Sequence, residues 1–211
     1  MSNERADAAT FLPSGTVYGV LLNFREEVDA WASRMNEPPY KAPPKAPVLY
    51  VKTANTWSPH GSDIAVPEGE SEVEVGATIA MVMGEGGQVA GHVLMNDLSL
   101  PHASFFRPPV KFKCVDGFLG IGPAMRVGGD PEGFVLEVRI NGELRHAADF
   151  SKLVRSASRL VADVSEFMTL APGDVLMLGC NVGRPLAKAG DRIEITAPGF
   201  ETLTNTLVEA A

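Results

Sequence analysis

A mainly β domain of the α+β class, with two or three peripheral helices, is the fold class that the sequence predicts. Short apolar runs rich in Val, Ile and Leu recur along the chain, and runs of this length bounded by turn residues read as strands. An Asn-Gly dipeptide, Asn141-Gly142, sits between two alternating apolar segments, which is the pattern of a hairpin with a type I′ turn. Helical spacing is confined to two stretches, so strands and helices do not alternate as a doubly wound sheet requires.

Taken in order, residues 1–14 are polar and alanine-rich without a period, and are expected to form a loose arm ahead of a single domain over 15–211. Thr16 to Phe24 (TVYGVLLNF) reads as a buried strand, and REEVDAWASRM after it carries Val28, Trp31 and Met35 at helical spacing. The next segment, NEPPYKAPPKAP, holds five prolines in twelve residues; each lacks an amide donor, so an extended surface loop follows. Strands are then predicted at 48–52, 73–83, 89–97 and 191–196, with the hairpin over 135–149. The longest helix is predicted over 150–170, where Leu153, Val154, Ala157, Leu160, Val161, Val164 and Phe167 share a face and APGD (171–174) ends it.

Composition narrows the function classes. With 26 acidic against 18 basic residues the net charge is −8, the reverse of what a polyanion partner selects, so nucleic acid is not expected. Two cysteines, Cys114 and Cys180, make no disulfide framework, which points to a reduced, cytoplasmic setting. No apolar run approaches the ~20 residues of a membrane span, and no membrane partner is expected.

Isolated motifs carry little chemistry. The glycine-rich GEGGQ (84–88) lacks the Lys-Ser/Thr of a phosphate-binding loop and reads as a hairpin connection. His60, His92, His102 and His146 have no metal-ligand spacing, no serine lies in a Gly-x-Ser-x-Gly elbow, and Cys180 has no base near it in sequence. The stretch SEVEVGATIAMVMG (71–84) offers two carboxylates, Glu72 and Glu74, on one face of a strand; such a pair is either a metal site or a solvated edge.

A series of phrases in order is more specific: LNF, VLYVKTANT, PEGE, AGHVLMNDLS, RPPVKFKCVDGFLGIGP, VRINGE, SEFMTLAPGDVLMLG and AGDRIEI. From about Gly15 to Leu207 these resemble the fumarylacetoacetate hydrolase family. The segments AWASRMNEPPYKAPPKAP, NDLSLP and KCVDGF bring the chain nearest to the amino-terminal half of the family's isomerase/decarboxylase branch. The resemblance implies a mixed β-roll or sandwich whose site holds Mg²⁺ or Mn²⁺ through a Glu-x-Glu pair and a later aspartate. It also implies an early histidine, an arginine, a lysine and a threonine.

Carried over by position, the match is uneven. Anchoring the family's strand on Gly84 sets Gly76 and Thr78 at the two glutamate positions, while Glu72 and Glu74 stand roughly 13 Å upstream along the strand. Asp97 matches the third ligand and Lys113 the lysine, whereas Glu27, Pro101 and Cys180 replace the histidine, arginine and threonine. The expectations are therefore Asp97 and Lys113 as catalytic residues, Asn96, Asp116 and Cys180 as substrate-binding residues, and a family metal missing from this chain. Two readings follow from the resemblance. In one, the chain is a catalytic subunit acting on 5-oxopent-3-ene-1,2,5-tricarboxylate, on 2-hydroxyhepta-2,4-diene-1,7-dioate, or on both. In the other it is a structural or regulatory paralogue. The expected partners are a small oxo-acid and either a second copy or a Glu-x-Glu-bearing relative.

Overall fold

The computed structural model describes residues 10–102 and 109–210; the arm predicted from residue 1 lies outside the described residues up to residue 9. In chain order the strands are β1 (Val17–Leu21), β2 (Val48–Lys52), β3 (Trp57–Pro59), β4 (Asp63–Val66), β5 (Val73–Glu74), β6 (Ala77–Met83) and β7 (Val89–Asp97). They continue with β8 (Leu119–Ile121), β9 (Val135–Ile140), β10 (Glu143–Asp149), β11 (Val175–Met177), β12 (Leu186–Ala187), β13 (Arg192–Thr196) and β14 (Leu203–Glu209). The helices are α1 (Arg25–Trp31), the single turn α2 (Val110–Lys113) and α3 (Ala157–Ser165). A mainly β architecture with few helices is what the sequence predicted. None of the helices among the described residues is long and apolar enough to cross a membrane.

Seven strands form one mixed sheet in the order β2-β1-β11-β6-β7-β8-β3, and five form a second in the order β10-β9-β13-β14-β4. The first sheet must curl. Its two edge strands, β2 and β3, are joined by the short turn Ala54–Thr56. Six inter-strand steps of ~4.8 Å would separate the edges of a flat sheet by about 29 Å, yet five residue steps from Lys52 to Trp57 reach at most about 18 Å. The edges are therefore drawn toward each other and the sheet becomes a roll with a seam between β2 and the β7–β8 side.

The core follows from alternation. Ile79, Met81 and Met83 of β6 pack with Leu136, Val138 and Ile140 of β9, Ile193 and Ile195 of β13 and Leu160 and Val164 of α3, between the two sheets. On the opposite face of the roll, Ala80, Val82, Val93, Met95, Val175 and Met177 pack with Val17, Leu21 and Leu119, with Trp31 and Tyr40 against them. Both faces of the seven-stranded sheet are thus buried, which is why β6 reads as a continuous apolar run instead of alternating.

Two elements differ from the sequence expectation. The run 73–83 is two strands: β5 pairs with β12, while β6 pairs with β7 and β11, and the chain changes partner at Val75-Gly76. Local period does not reveal that change, because Val73 and Val75 lead into the apolar run Ala77–Met83 with only Glu74 and Gly76 between them. The helix over 150–170 shortens to α3. Leu153 bridges Phe24, Val154 N–H donates to the Asn23 carbonyl (2.7 Å), and the Ser156 hydroxyl caps the helix by accepting from Arg159 N–H. Phe167, predicted on the buried face, lies past the end of α3 and is 62% exposed. The Asn141-Gly142 turn matches its prediction: both residues have positive φ, +54° and +82°, and β9 pairs with β10 on either side.

Candidate active site at the seam of the roll

Strand alternation sends Tyr50 and Lys52 of β2 into the roll while Val51 faces outward. A Cβ on Gly19 would fall inside the Tyr50 ring, so the absence of a side chain on β1 lets the ring cross that strand. Its hydroxyl donates to Asp97 Oδ2, at the end of β7. Lys52 Nζ lies 2.8 Å from Asp97 Oδ1, and Lys113 Nζ, at the end of α2, lies 2.7 Å from Oδ2. All three charged side chains are sealed from solvent, with exposures of 0–1%. Lys52 Nζ is also within hydrogen-bond distance of the carbonyls of Leu98 (2.9 Å), Lys113 (2.6 Å) and Phe118 (2.7 Å). Lys113 Nζ stands 4.8 Å from the centre of the Tyr50 ring, an added cation–π contact.

The electrostatics follow from burial and these partners. Burial pushes the Asp97 carboxyl up, but Lys113 and Lys52 outweigh it and hold it well below the usual carboxylate range. Burial drives Lys52 down to about 8 even with Asp97 beside it. Burial and the Asp97 charge together raise Tyr50 well above a normal phenol. Asp97 is thus a fixed carboxylate, held by two lysines and a phenolic donor.

A second polar layer borders this cluster. Cys180 Sγ lies 4.0 Å from Asp97 Oδ2, and burial plus the Asp97 charge push its thiol up to about 12. Glu27 is buried and accepts from Leu22 N–H (2.8 Å), a residue with a positive φ of +58°. Burial pushes its carboxyl up against the pull of Arg184. Arg184 Nε lies 3.4 Å from Glu74 Oε2, and Asn181 donates to Glu26 (2.6 Å).

Of the residues singled out in sequence, Asp97, Lys113 and Cys180 come together, with Glu27 in the neighbouring layer. Asn96 and Asp116 do not join them. As the neighbour of Asp97 on β7, Asn96 points to the opposite side of the strand, against Gly120 and near Asn205. Asp116 is exposed in the turn before β8, where its carboxylate accepts from Asn55 Nδ2 (2.6 Å). Glu72 is exposed as a wet strand edge would be, but Glu74 is not simply solvated: it faces Arg184 and lies 3.4 Å from Ser99 Oγ. Tyr50, Lys52 and Arg184 escaped the sequence reading. The signal for the first two was present in VLYVK, where the lysine shares its face with an inward tyrosine.

These residues do not fit the divalent cation that the family implies. Both Asp97 oxygens already face ammonium groups. Gly76 packs so closely that a Cβ there would lie 2.3 Å from the Asp97 carbonyl oxygen and 3.0 Å from Cys180 Sγ. Thr78 Oγ1 donates to the Gly179 carbonyl (2.6 Å). Among the described residues no group of three His, Cys, Asp or Glu side chains is arranged to hold a metal ion. Hard dications take several oxygen ligands, usually carboxylates among them, and here the one carboxylate in place is already neutralised.

Comparison with known proteins agrees with this architecture. The model for the fumarylacetoacetate (FAA) hydrolase C-terminal family matches residues 16–208. A 4-hydroxyphenylacetate degradation bifunctional isomerase/decarboxylase from Salmonella dublin is 40% identical over 204 residues, 92% of this chain and 47% of that protein. The chain spans about half the length of the curated relatives of this kind that it matches. The crystal structure of 5-carboxymethyl-2-hydroxymuconate delta-isomerase from Mycobacterium smegmatis has a TM-score of 0.75 at 25% identity, covering 93% of this chain and 79% of that one. Fumarylpyruvate hydrolase from Pseudomonas aeruginosa, solved in complex with Mn²⁺ and pyruvate, shares the fold with a TM-score of 0.79 at 20% identity, over 98% of this chain and 94% of its own.

Proposed function

Because the chain belongs to the fumarylacetoacetate hydrolase family, we propose that it serves as one subunit of an isomerase/decarboxylase of 4-hydroxyphenylacetate degradation. It would act in the turnover of 5-oxopent-3-ene-1,2,5-tricarboxylate, 2-hydroxyhepta-2,4-diene-1,7-dioate, or both. The observation that carries this reading is the 40% identity spread over 92% of the chain but only 47% of the relative, the proportion of one half of a two-part enzyme. Asp97 with two ammonium groups supports a division of labour. A second chain bearing the Glu-x-Glu pair would hold Mg²⁺ or Mn²⁺, and this chain would hold none. Lys113, paired with Asp97, and Arg184, paired with Glu74 and under the electrostatic influence of Asp97, are the cationic groups here suited to an oxo-acid carboxylate.

A second reading, a non-catalytic structural or regulatory partner of that Glu-x-Glu chain, is favoured by the closed state of the cluster, whose charges are spent on each other. The test is turnover of the tricarboxylate with Mg²⁺ by the purified chain alone and mixed with a Glu-x-Glu relative. We expect activity in the mixture. An Arg184→Lys substitution that raises KM in the mixture supports the catalytic reading. An unchanged KM and kcat supports the structural one, and no turnover in either preparation refutes both.

A further inference from the structure

The surroundings of Lys52 resemble those of a bound ion more than those of an ordinary ion pair. Three main-chain carbonyls and one carboxylate oxygen, from Leu98, Lys113, Phe118 and Asp97, lie 2.6–2.9 Å from one nitrogen. Carbonyl and carboxylate oxygens gathered about one positive centre are the ligand set that hard cations take. The lysine's three N–H groups match three of these acceptors, and the remaining oxygen contributes charge. The four acceptors come from three separate parts of the chain, with Asp97 and Leu98 at the end of β7, Lys113 at the end of α2 and Phe118 on the approach to β8, whereas the lysine ends β2. The cage therefore lies where the curled sheet meets itself, and its centre joins the two sides of the seam.

We infer that the Lys52 ammonium is a tethered monovalent cation in a built cation site, and that shortening it to alanine turns the cage into a binding site for free ammonium or potassium ions. In the present chain the tether fills the cage, compensates Asp97 and holds β7, α2 and β8 against β2. Leu98, just after β7, and Phe118, just before β8, are thereby held by one side chain. This inference concerns folding of the seam and holds whichever oxo-acid the assembly turns over.

The experiment is thermal unfolding of wild type, Lys52→Ala and Lys52→Met in ammonium chloride, potassium chloride and tetramethylammonium chloride at matched ionic strength. A ligand that binds only the folded state raises the midpoint with the logarithm of its concentration. Lys52→Ala should unfold at lower temperature than wild type and regain part of the loss in ammonium or potassium, but not in tetramethylammonium, which is too large for the cage. Wild type and Lys52→Met, whose side chains occupy the space, should show no such difference. If Lys52→Ala does not fold in buffer, its refolding yield is compared between the same salts, with recovery in ammonium expected. Equal behaviour of Lys52→Ala in all three salts would overturn the inference. So would a rise in the wild-type midpoint with Mn²⁺ above the ionic-strength control, since a dication would then occupy a place assigned here to the lysine.

Discussion

Cys180 sits beside Asp97, at the position where the family resemblance sets a threonine, and its environment decides what a thiol can do there. A nucleophilic cysteine needs a lowered pKa, because the thiolate is the reactive form. Here burial and the neighbouring carboxylate push the thiol up to about 12, and the residue is 6% exposed. Burial and the neighbouring carboxylate thus favour the thiol over the thiolate, and Cys180 is expected to be unreactive in the folded chain. Iodoacetamide at pH 7.5 should label it only after unfolding in urea, as read by peptide mass analysis. Rapid labelling of Cys180 in the native chain would assign it a reactive role. The same local logic makes Asp97 costly to disturb: removing one partner of a buried ion pair leaves an uncompensated charge, at about 3–5 kcal/mol.

At the scale of the element, the Val75-Gly76 junction shows why the Glu-x-Glu question had no local answer. Glu74 N–H donates to the Ser99 carbonyl and Val75 N–H to the Pro185 carbonyl, while Asp97 N–H donates to Gly76. Three successive residues are thus pinned by two different segments, and Gly76 is the point of closest approach. A Cβ there meets main-chain oxygen, which cannot rotate away. Gly76→Ala should destabilise the fold by at least about 1–3 kcal/mol, the range for overpacking a tight interior, measured as a lower urea midpoint. Gly133→Ala is the control, since nothing lies within 4 Å of its added Cβ. A near-neutral Gly76→Ala would mean that the junction yields and that a larger ligand residue could be accommodated there.

At the scale of the whole molecule, one buried charge cluster joins distant parts of the chain, so its titration is read as global stability. The folded Asp97 carboxyl, held down by Lys113 and Lys52 against burial, ionises more readily than the same group in the unfolded chain, at about 3.9. The unfolded chain then binds the extra proton, and the stabilisation present at neutral pH declines as pH falls below about 4. Urea unfolding between pH 7 and pH 3 should show this decline in wild type. In Asp97→Asn the midpoint should already be lower at pH 7 and the acid decline shallower. Equal acid dependence in the two proteins would remove Asp97 as the linked group.

Much of the fold was legible in sequence because short-range rules govern it. The Asn141-Gly142 hairpin follows from two residues that tolerate positive φ, and α1 follows from the spacing of its apolar residues. The alignment of phrases also led to Asp97 and Lys113. What the chain could not reveal locally was closure. Tyr50 and Lys52 are 45–47 residues from Asp97, and Arg184 is further still. Strand alternation fixes which side a residue takes, but not which other strand's side chain will face it across a curled sheet. Composition, period and motif order thus determined the class of fold and its family. Only the tertiary structure, by drawing the two edges of one sheet together, decided that an aspartate matching a metal ligand is held by two lysines.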